Sequence, residues 1–260
     1  MSDNGWVSFS SALDYEVSRP QYEQTVIPAI FNYCGTDRVA LAVDVACGTG
    51  QLSRHLSPRC DRVLGLDVSP EQIETARHVI KASNVSFHQC SVFDAQKTLG
   101  GLGALPVDLI TVGVASHYFH GPQFYDEMRR CLRKDGVLAE VCYWIRNLEN
   151  CSESVSNKCV QFVNALFQDC QSNFGVEHFL QRYRLFDVRM DNVKRFDTVM
   201  REEWTYSNLA VYYGSSNIWV SKRREEIERF FRELEKLDGK KSVTVAFDVF
   251  GFFSQNLRGE

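Results

Sequence analysis

Short apolar runs punctuated by glycine, proline and charge recur through the first half of the chain. Ala40–Val45, Arg62–Leu66, Val85–Gln89, Val107–Val114 and Val137–Trp144 each read as a strand. The unbroken apolar character of the first run suits a parallel strand buried on both faces. Between them, Gln51–Leu56, Pro70 to about Ala82, and Gln123–Arg133 carry helical spacing. Ser69 can cap the second of these helices, Pro70 fits its first turn and Glu71 suits its positive end. Leu99–Leu105 reads as a glycine-rich loop and Lys134-Asp135-Gly136 as a turn. Repeated alternation of strand and helix predicts right-handed crossovers and an α/β fold, a doubly wound parallel sheet with helices on both faces.

After Trp144 the rhythm breaks. Asn147–Tyr183 is rich in Asn, Gln, Ser and Cys and reads as a helical insertion. Leu185–Met190 and Lys194–Met200 read as short strands, Glu202–Tyr213 and Trp219–Leu237 as helices, and Ser242–Phe250 as a last strand. Upstream, Phe9–Cys34 reads as short helices with a turn at Arg19-Pro20. The expected organisation is a single domain over 1–260. It comprises an N-terminal helical lid (1–38), a cofactor-binding core (39–146), the insertion (147–183), and a C-terminal part (184–260) with the rest of the sheet and lid helices.

Composition narrows the function classes. Hydrophobic residues at 44% and charged residues at 24% describe an ordinary globular chain. A net charge of -4 lacks the basic surplus of a nucleic-acid binder. Residues 1–9 have no apolar signal core, and no apolar run reaches membrane-spanning length, so no membrane partner is expected. The 9 cysteines include no C-x-x-C pair, which suits reduced thiols in the cytoplasm. The histidines His78, His88, His120 and His178 lack metal-ligand spacing, so no metal is expected. Neither G-x-S-x-G nor H-E-x-x-H occurs.

The richest stretch is Val43-Asp44-Val45-Ala46-Cys47-Gly48-Thr49-Gly50. It joins a buried strand to a helix through glycines that let a ligand approach the backbone. A dinucleotide fingerprint, G-x-G-x-x-G, would need glycine where Ser53 stands. What is present is acidic-x-x-x-Gly-x-Gly, and a carboxylate so close favours a ligand bearing ammonium and sulfonium charge over a pyrophosphate. Asp67, ending the second strand, is placed to accept hydrogen bonds from ribose hydroxyls in either cofactor class. A nicotinamide-dependent oxidoreductase and a non-catalytic cofactor-binding protein are the alternatives.

These residues resemble the first motif of class I S-adenosylmethionine-dependent methyltransferases, in a D-x-x-C-G-x-G variant. Val107-Asp108-Leu109-Ile110-Thr111 is similar to that family's fourth strand. Ser116-His117-Tyr118-Phe119 resembles the L-H-W-F segment of a small-molecule subgroup that includes the trans-aconitate methyltransferases, a type 11-like group. Leu132-Arg133-Lys134-Asp135-Gly136 resembles the L-x-P-G-G turn. Tyr15, Arg19-Pro20 and Tyr22 resemble the subgroup's Y-x-x-x-R-P-x-Y opening, and Leu209–Trp219 is similar to its lid segment. The likeness runs from Leu13 to Trp144.

The resemblance implies a Rossmann-like seven-stranded sheet, S-adenosyl-L-methionine as cofactor, and methyl transfer to a small molecule, with a carboxylic acid as candidate acceptor. It also implies that Asp44, Ala46, Gly48 and Gly50 line the methionine part and that Asp67 binds the ribose. Val68, Ser91, Val92 and Phe93 surround the adenine, with Ser91 standing where many relatives carry an acid. Val112 and Gly113 approach the sulfonium, and Tyr15 and Arg19 close over the cofactor. On the acceptor side, His117 is the candidate general base, since an imidazole suits proton transfer near neutrality. Tyr143, Trp144 and Arg146 are candidate substrate contacts, with Trp204, Tyr212 and Tyr213 as an aromatic lid. Arg146, Arg182 or Arg184 is the expected clamp for an acid. A monomer is expected, with no nucleic-acid partner.

Overall fold

The computed structural model describes residues 19–22, 24–168, 181–215 and 223–258. Their elements, in chain order, are α1 (Val26–Cys34), β1 (Val39–Val45), α2 (Gln51–Leu56), β2 (Cys60–Asp67), α3 (Pro70–Val79), β3 (Val85–Gln89), α4 (Ala95–Gly101), β4 (Val107–Gly113), α5 (Pro122–Cys131), β5 (Leu132–Glu149), α6 (Glu153–Gln168), β6 (Asp191–Thr205), α7 (Tyr206–Gly214), α8 (Arg224–Asp238) and β7 (Ser242–Asn256).

One sheet of 7 strands has the order β3-β2-β1-β4-β5-β7-β6. The pairs β1–β2, β1–β4, β2–β3 and β4–β5 are parallel. β7 runs against β5: Gly251 lies on Glu140, Ser254 bonds to Leu138, and Asn256 bonds to Leu132, so one strand ascends as the other descends. The order reverses direction between β1 and β4, and ligands of such sheets bind outside the strand ends at that point. β1 sits there because it is apolar on both sides. Ala42, Val43 and Val45 are all buried, and Val43, Val45, Leu64, Ile110 and Val112 belong to one core with the helix residues Phe124, Tyr125 and Met128.

The described residues divide into two compact units. The larger contains 21–142, 181–197 and 250–258, and so includes part of every strand. The smaller contains 19–20, 143–168, 198–215 and 223–249. Its core is aromatic: Tyr143, Trp204, Tyr212, Tyr213, Phe231 and Phe247 are all buried.

Several boundaries differ from the sequence reading, each for a local reason. α3 is capped by Ser69, whose Oγ accepts from the Gln72 N–H at 3.3 Å. It stops at Val79 instead of Ala82 because Ile80 turns to extended backbone and packs on Cys47, Ile73, Ala76 and Phe87. The glycines at 100 and 101 end a helix, where a loop is expected over 99–105. Lys134-Asp135-Gly136 is absorbed into β5 as a bulge, with Asp135 at φ 61° and the register jumping between Val107↔Leu132 and Leu109↔Val137. Leu185–Met190 is not a strand; its chain is turn and irregular, with Phe186 turned into a stack of rings. Residues 202–205 continue β6, and α7 starts only at Tyr206, where Thr205 and Asn208 form a capping box. α8 starts at Arg224, and 219–222 lie outside the described residues. No described helix is long and apolar enough to cross a membrane.

Candidate functional site

β1 delivers the chain into a tight turn in which Ala46, Gly48 and Gly50 have φ of 54°, 56° and 84°. That left-handed region is uncommon for residues with a Cβ. At Gly50 a Cβ would also stand 2.4 Å from Ile80 Cδ1 and 2.8 Å from Phe87 Cζ. The turn closes when the Gly50 N–H donates to the Cys47 carbonyl at 2.9 Å, and the Cys47 N–H ties it to the Leu66 carbonyl of β2 at 3.0 Å.

Asp67 braces the same turn. Its Oδ2 accepts from the Gly48 N–H and its Oδ1 from the Ser69 N–H, both at 2.9 Å. Burial raises its pKa, and the backbone bonds from Ser69 and Gly48 oppose the rise. With one such bond to each oxygen, the carboxylate keeps lone pairs for further donors.

Asp44 is engaged differently. It is 1% exposed. Ser53 Oγ donates to it at 2.6 Å and Thr111 Oγ1 at 3.0 Å. Burial pushes its pKa up to about 6, against the pull of these two hydroxyls. The acid thus ties β1 to β4 and α2. Ser53, which breaks the dinucleotide pattern, is its shortest partner.

Beyond Asp67 the surface opens. Val68 and Phe93 are exposed apolar residues. Ser91 Oγ accepts from the Phe93 N–H at 3.3 Å and so caps the 3-10 turn that contains Val92. Val68, Gln89, Cys90, Ser91 and Thr98 help line a groove of about 680 Å³. At the end of β4, a Cβ on Gly113 would come 3.3 Å from the Tyr22 hydroxyl. Val114, next along, holds φ 56° and donates its N–H to the Val141 carbonyl at 2.8 Å. A β-branched residue in that region is strained, a state often found at ligand sites. A turn with no room for Cβ, a carboxylate with spare lone pairs and an exposed apolar edge fit an adenosyl ligand that carries a ribose.

His117 is buried, with Nδ1 3.0 Å from the Tyr183 hydroxyl. Tyr22 and Tyr183 are the neighbours that sequence reasoning did not assign. Tyr22 stood in the opening motif, whereas Tyr183 gave no signal, being 66 positions from its partner. In the smaller unit, Arg19 is buried and donates to the carbonyls of Tyr212 and Ser215, each at 3.2 Å, at the C-terminal end of α7. Tyr143 is buried against Phe247, and Trp144 packs edge-on to Phe167. Trp204, Tyr212 and Tyr213, expected as a lid, are buried in that aromatic core. Arg146 is half-exposed and 3.9 Å from Asp248. Tyr15 lies outside the described residues. Among the described residues no cluster of His, Cys, Asp or Glu has the form of a metal site.

Residues 42–136 match the family described as methyltransferase domain. A protein of Dictyostelium discoideum named as a methyltransferase is 33% identical over 141 residues, 54% of this chain and 50% of that one. A human tRNA (uracil-5-)-methyltransferase homolog is 32% identical over 88 residues, 33% of this chain and 14% of that one. The chain therefore spans half or less of these relatives' length. A solved structure from Anaeromyxobacter dehalogenans, described as a type II methyltransferase, shares the fold at TM-score 0.70 and 21% identity, covering 92% of this chain and 98% of that one. Residues 42–136, the stretch that holds the glycine turn and Asp67, are thus similar to a methyltransferase domain.

Proposed function

We propose that the chain transfers the methyl group of S-adenosylmethionine to a small-molecule acceptor, with a carboxylic acid as the first candidate. The observation that carries this reading is the Gly48–Gly50 turn braced by Asp67, because Gly48 and Asp67 stay partly exposed there beside the exposed Val68. Ser53 supports it against the nicotinamide alternative, since its hydroxyl is committed to Asp44 where a dinucleotide turn needs glycine.

When bound, the cofactor supplies an electrophilic methyl group on a sulfonium. The chain's task is positioning and charge. In this reading Asp67 accepts from the ribose hydroxyls, Val68 and Phe93 offer apolar surface to the adenine, and Gly113 lets the Tyr22 hydroxyl approach the end of β4. An ionised acid needs no base, and one of Arg146, Arg182 and Arg184 would hold it. A hydroxyl or amine acceptor would need His117 to take a proton. A cytoplasmic monomer and the trans-aconitate-like subgroup belong to the same reading.

The test is calorimetry with S-adenosylhomocysteine against NADH, followed by transfer of labelled methyl to a panel of acids, amines and tRNA. Binding of S-adenosylhomocysteine with label appearing in an acid is the expected result. NADH binding alone would overturn the cofactor, label in tRNA would overturn the acceptor class, and cofactor binding with no label across the panel would favour a non-catalytic role.

A further inference from the structure

A closed circuit of buried and half-buried polar and aromatic groups lies in the larger unit, beyond the glycine turn. Glu140, on β5, is fully buried, and its register partner on β4 is Val112. The Tyr125 hydroxyl, from α5, donates to Glu140 Oε2 at 3.2 Å. His120 Nδ1 lies 3.2 Å from the same hydroxyl. Because the tyrosine proton is committed to the carboxylate, its oxygen accepts from the imidazole. While Glu140 is ionised, the chain therefore runs from His120 Nδ1–H through Tyr125 to Glu140.

Rings join this chain to His117. Phe186 is stacked on His120 at 3.8 Å and on Tyr183 at 4.2 Å, and Tyr183 meets His117 Nδ1 through its hydroxyl. The backbone completes the circuit: the His120 N–H donates to the Ser116 carbonyl at 2.8 Å, so 116–120 is one tight turn.

We infer that Glu140 is a positioning residue that holds the 116–120 turn through Tyr125 and His120, and so sets where the His117 ring stands. What His117 does once placed rests on the methyl-transfer reading; the circuit itself does not. Glu140 is faced by the Tyr125 hydroxyl from α5, the Ser116 hydroxyl from the turn and the Tyr183 phenol from the 181–190 segment, with Cys142 further along its own strand. Asp187 adds negative charge near Tyr125. From β7, Gly251 contributes only close backbone, because any Cβ there would collide with the Glu140 carbonyl. Among these described neighbours there is no lysine or arginine. Burial accordingly pushes the Glu140 carboxyl up to about 7, with Ser116 and Tyr125 moderating the rise.

The test is an NMR titration of histidine ring resonances, assigned with His117→Asn and His120→Asn, in wild type, Glu140→Gln and Tyr125→Phe. In wild type, His117 and His120 should share an inflection near pH 7 in addition to their own protonation. Glu140→Gln, which keeps the acceptor oxygen but does not ionise, should remove the shared inflection from both rings. Tyr125→Phe should remove it from His120. Superimposable wild-type and Glu140→Gln curves would overturn the inference, and so would a shared step confined to His120. Calorimetry with S-adenosylhomocysteine on the same samples separates the two readings. Unchanged affinity in Glu140→Gln is expected, whereas failure of wild type to bind would remove the methyl-transfer reading and leave the titration result standing.

Discussion

The turn at 46–50 and the aromatic core of the smaller unit are both densely packed, by opposite means. In the turn, side chains are excluded: Gly50 has room for none, and the polar contacts are backbone N–H groups converging on Asp67. In the aromatic core, side chains supply everything. Phe247 meets Tyr143 at 5.8 Å, Trp204 at 5.3 Å and Tyr212 at 6.2 Å, with ring planes inclined by 60–75°. The first arrangement keeps Gly48 and Asp67 partly exposed, which suits a ligand; the second buries its rings. The contrast argues that stability and ligand recognition are separable here.

The sharpest way to break that separation is Phe247→Ala. It should cost about 3–5 kcal/mol of stability in urea unfolding, as large aromatic truncations do. The folded fraction should bind S-adenosylhomocysteine with unchanged affinity; weaker binding would join the two regions. Next in size is a pH effect. Asp44 has its folded pKa raised from 3.8 to about 6. Its contribution to stability is therefore complete below its unfolded pKa and is lost as pH rises through the folded one, a change of about 3 kcal/mol. Asp44→Asn should flatten the unfolding midpoint between about pH 4 and pH 6, and an unaltered slope would mean that the carboxylate is not carrying its proton there.

Gly50→Ala follows, at about 1–3 kcal/mol for overpacking plus the left-handed backbone. Unlike the phenylalanine change, it should also lower S-adenosylhomocysteine affinity at least about tenfold. Asp67→Ala should leave the fold standing but weaken that ligand by about tenfold, or about 1.4 kcal/mol, in calorimetry; equal affinity would remove the ribose assignment. The smallest effect is Arg146→Ala. Its side chain is 54% exposed and its ion pair is long. Stability should change by less than about 0.5 kcal/mol, while methyl transfer to an acid should fall if Arg146 holds the acceptor.

These regions also differed in how far the sequence could be read. β1, the glycine turn and β2 were legible because each signal is local: an apolar run, a left-handed glycine and a capped helix lie within a few residues of one another. The role of Asp44 was less legible. Its proximity to the turn suggested contact with the ligand, but gave no sign that it also joins elements, one of its oxygens being held by Thr111 from a strand 67 positions away. The C-terminal half misled for a related reason. Leu185–Met190 alternates as a strand should, but Phe186 is used as a spacer between the rings of His120 and Tyr183, so the segment has no ladder. Residues 202–205 have helical composition but extend β6, and only the Thr205–Asn208 cap reveals where the helix begins. In both places long-range partners override local preference, and one chain read alone does not display them.

The bond between Ser53 and Asp44 bears on engineering. A designer wanting to convert this turn to nicotinamide use would start by writing glycine at 53, completing the familiar consensus. That edit would strip a buried carboxylate of its nearest donor and loosen the joint among three elements. Any such conversion has to replace Asp44 in the same step, so the two positions have to be changed together.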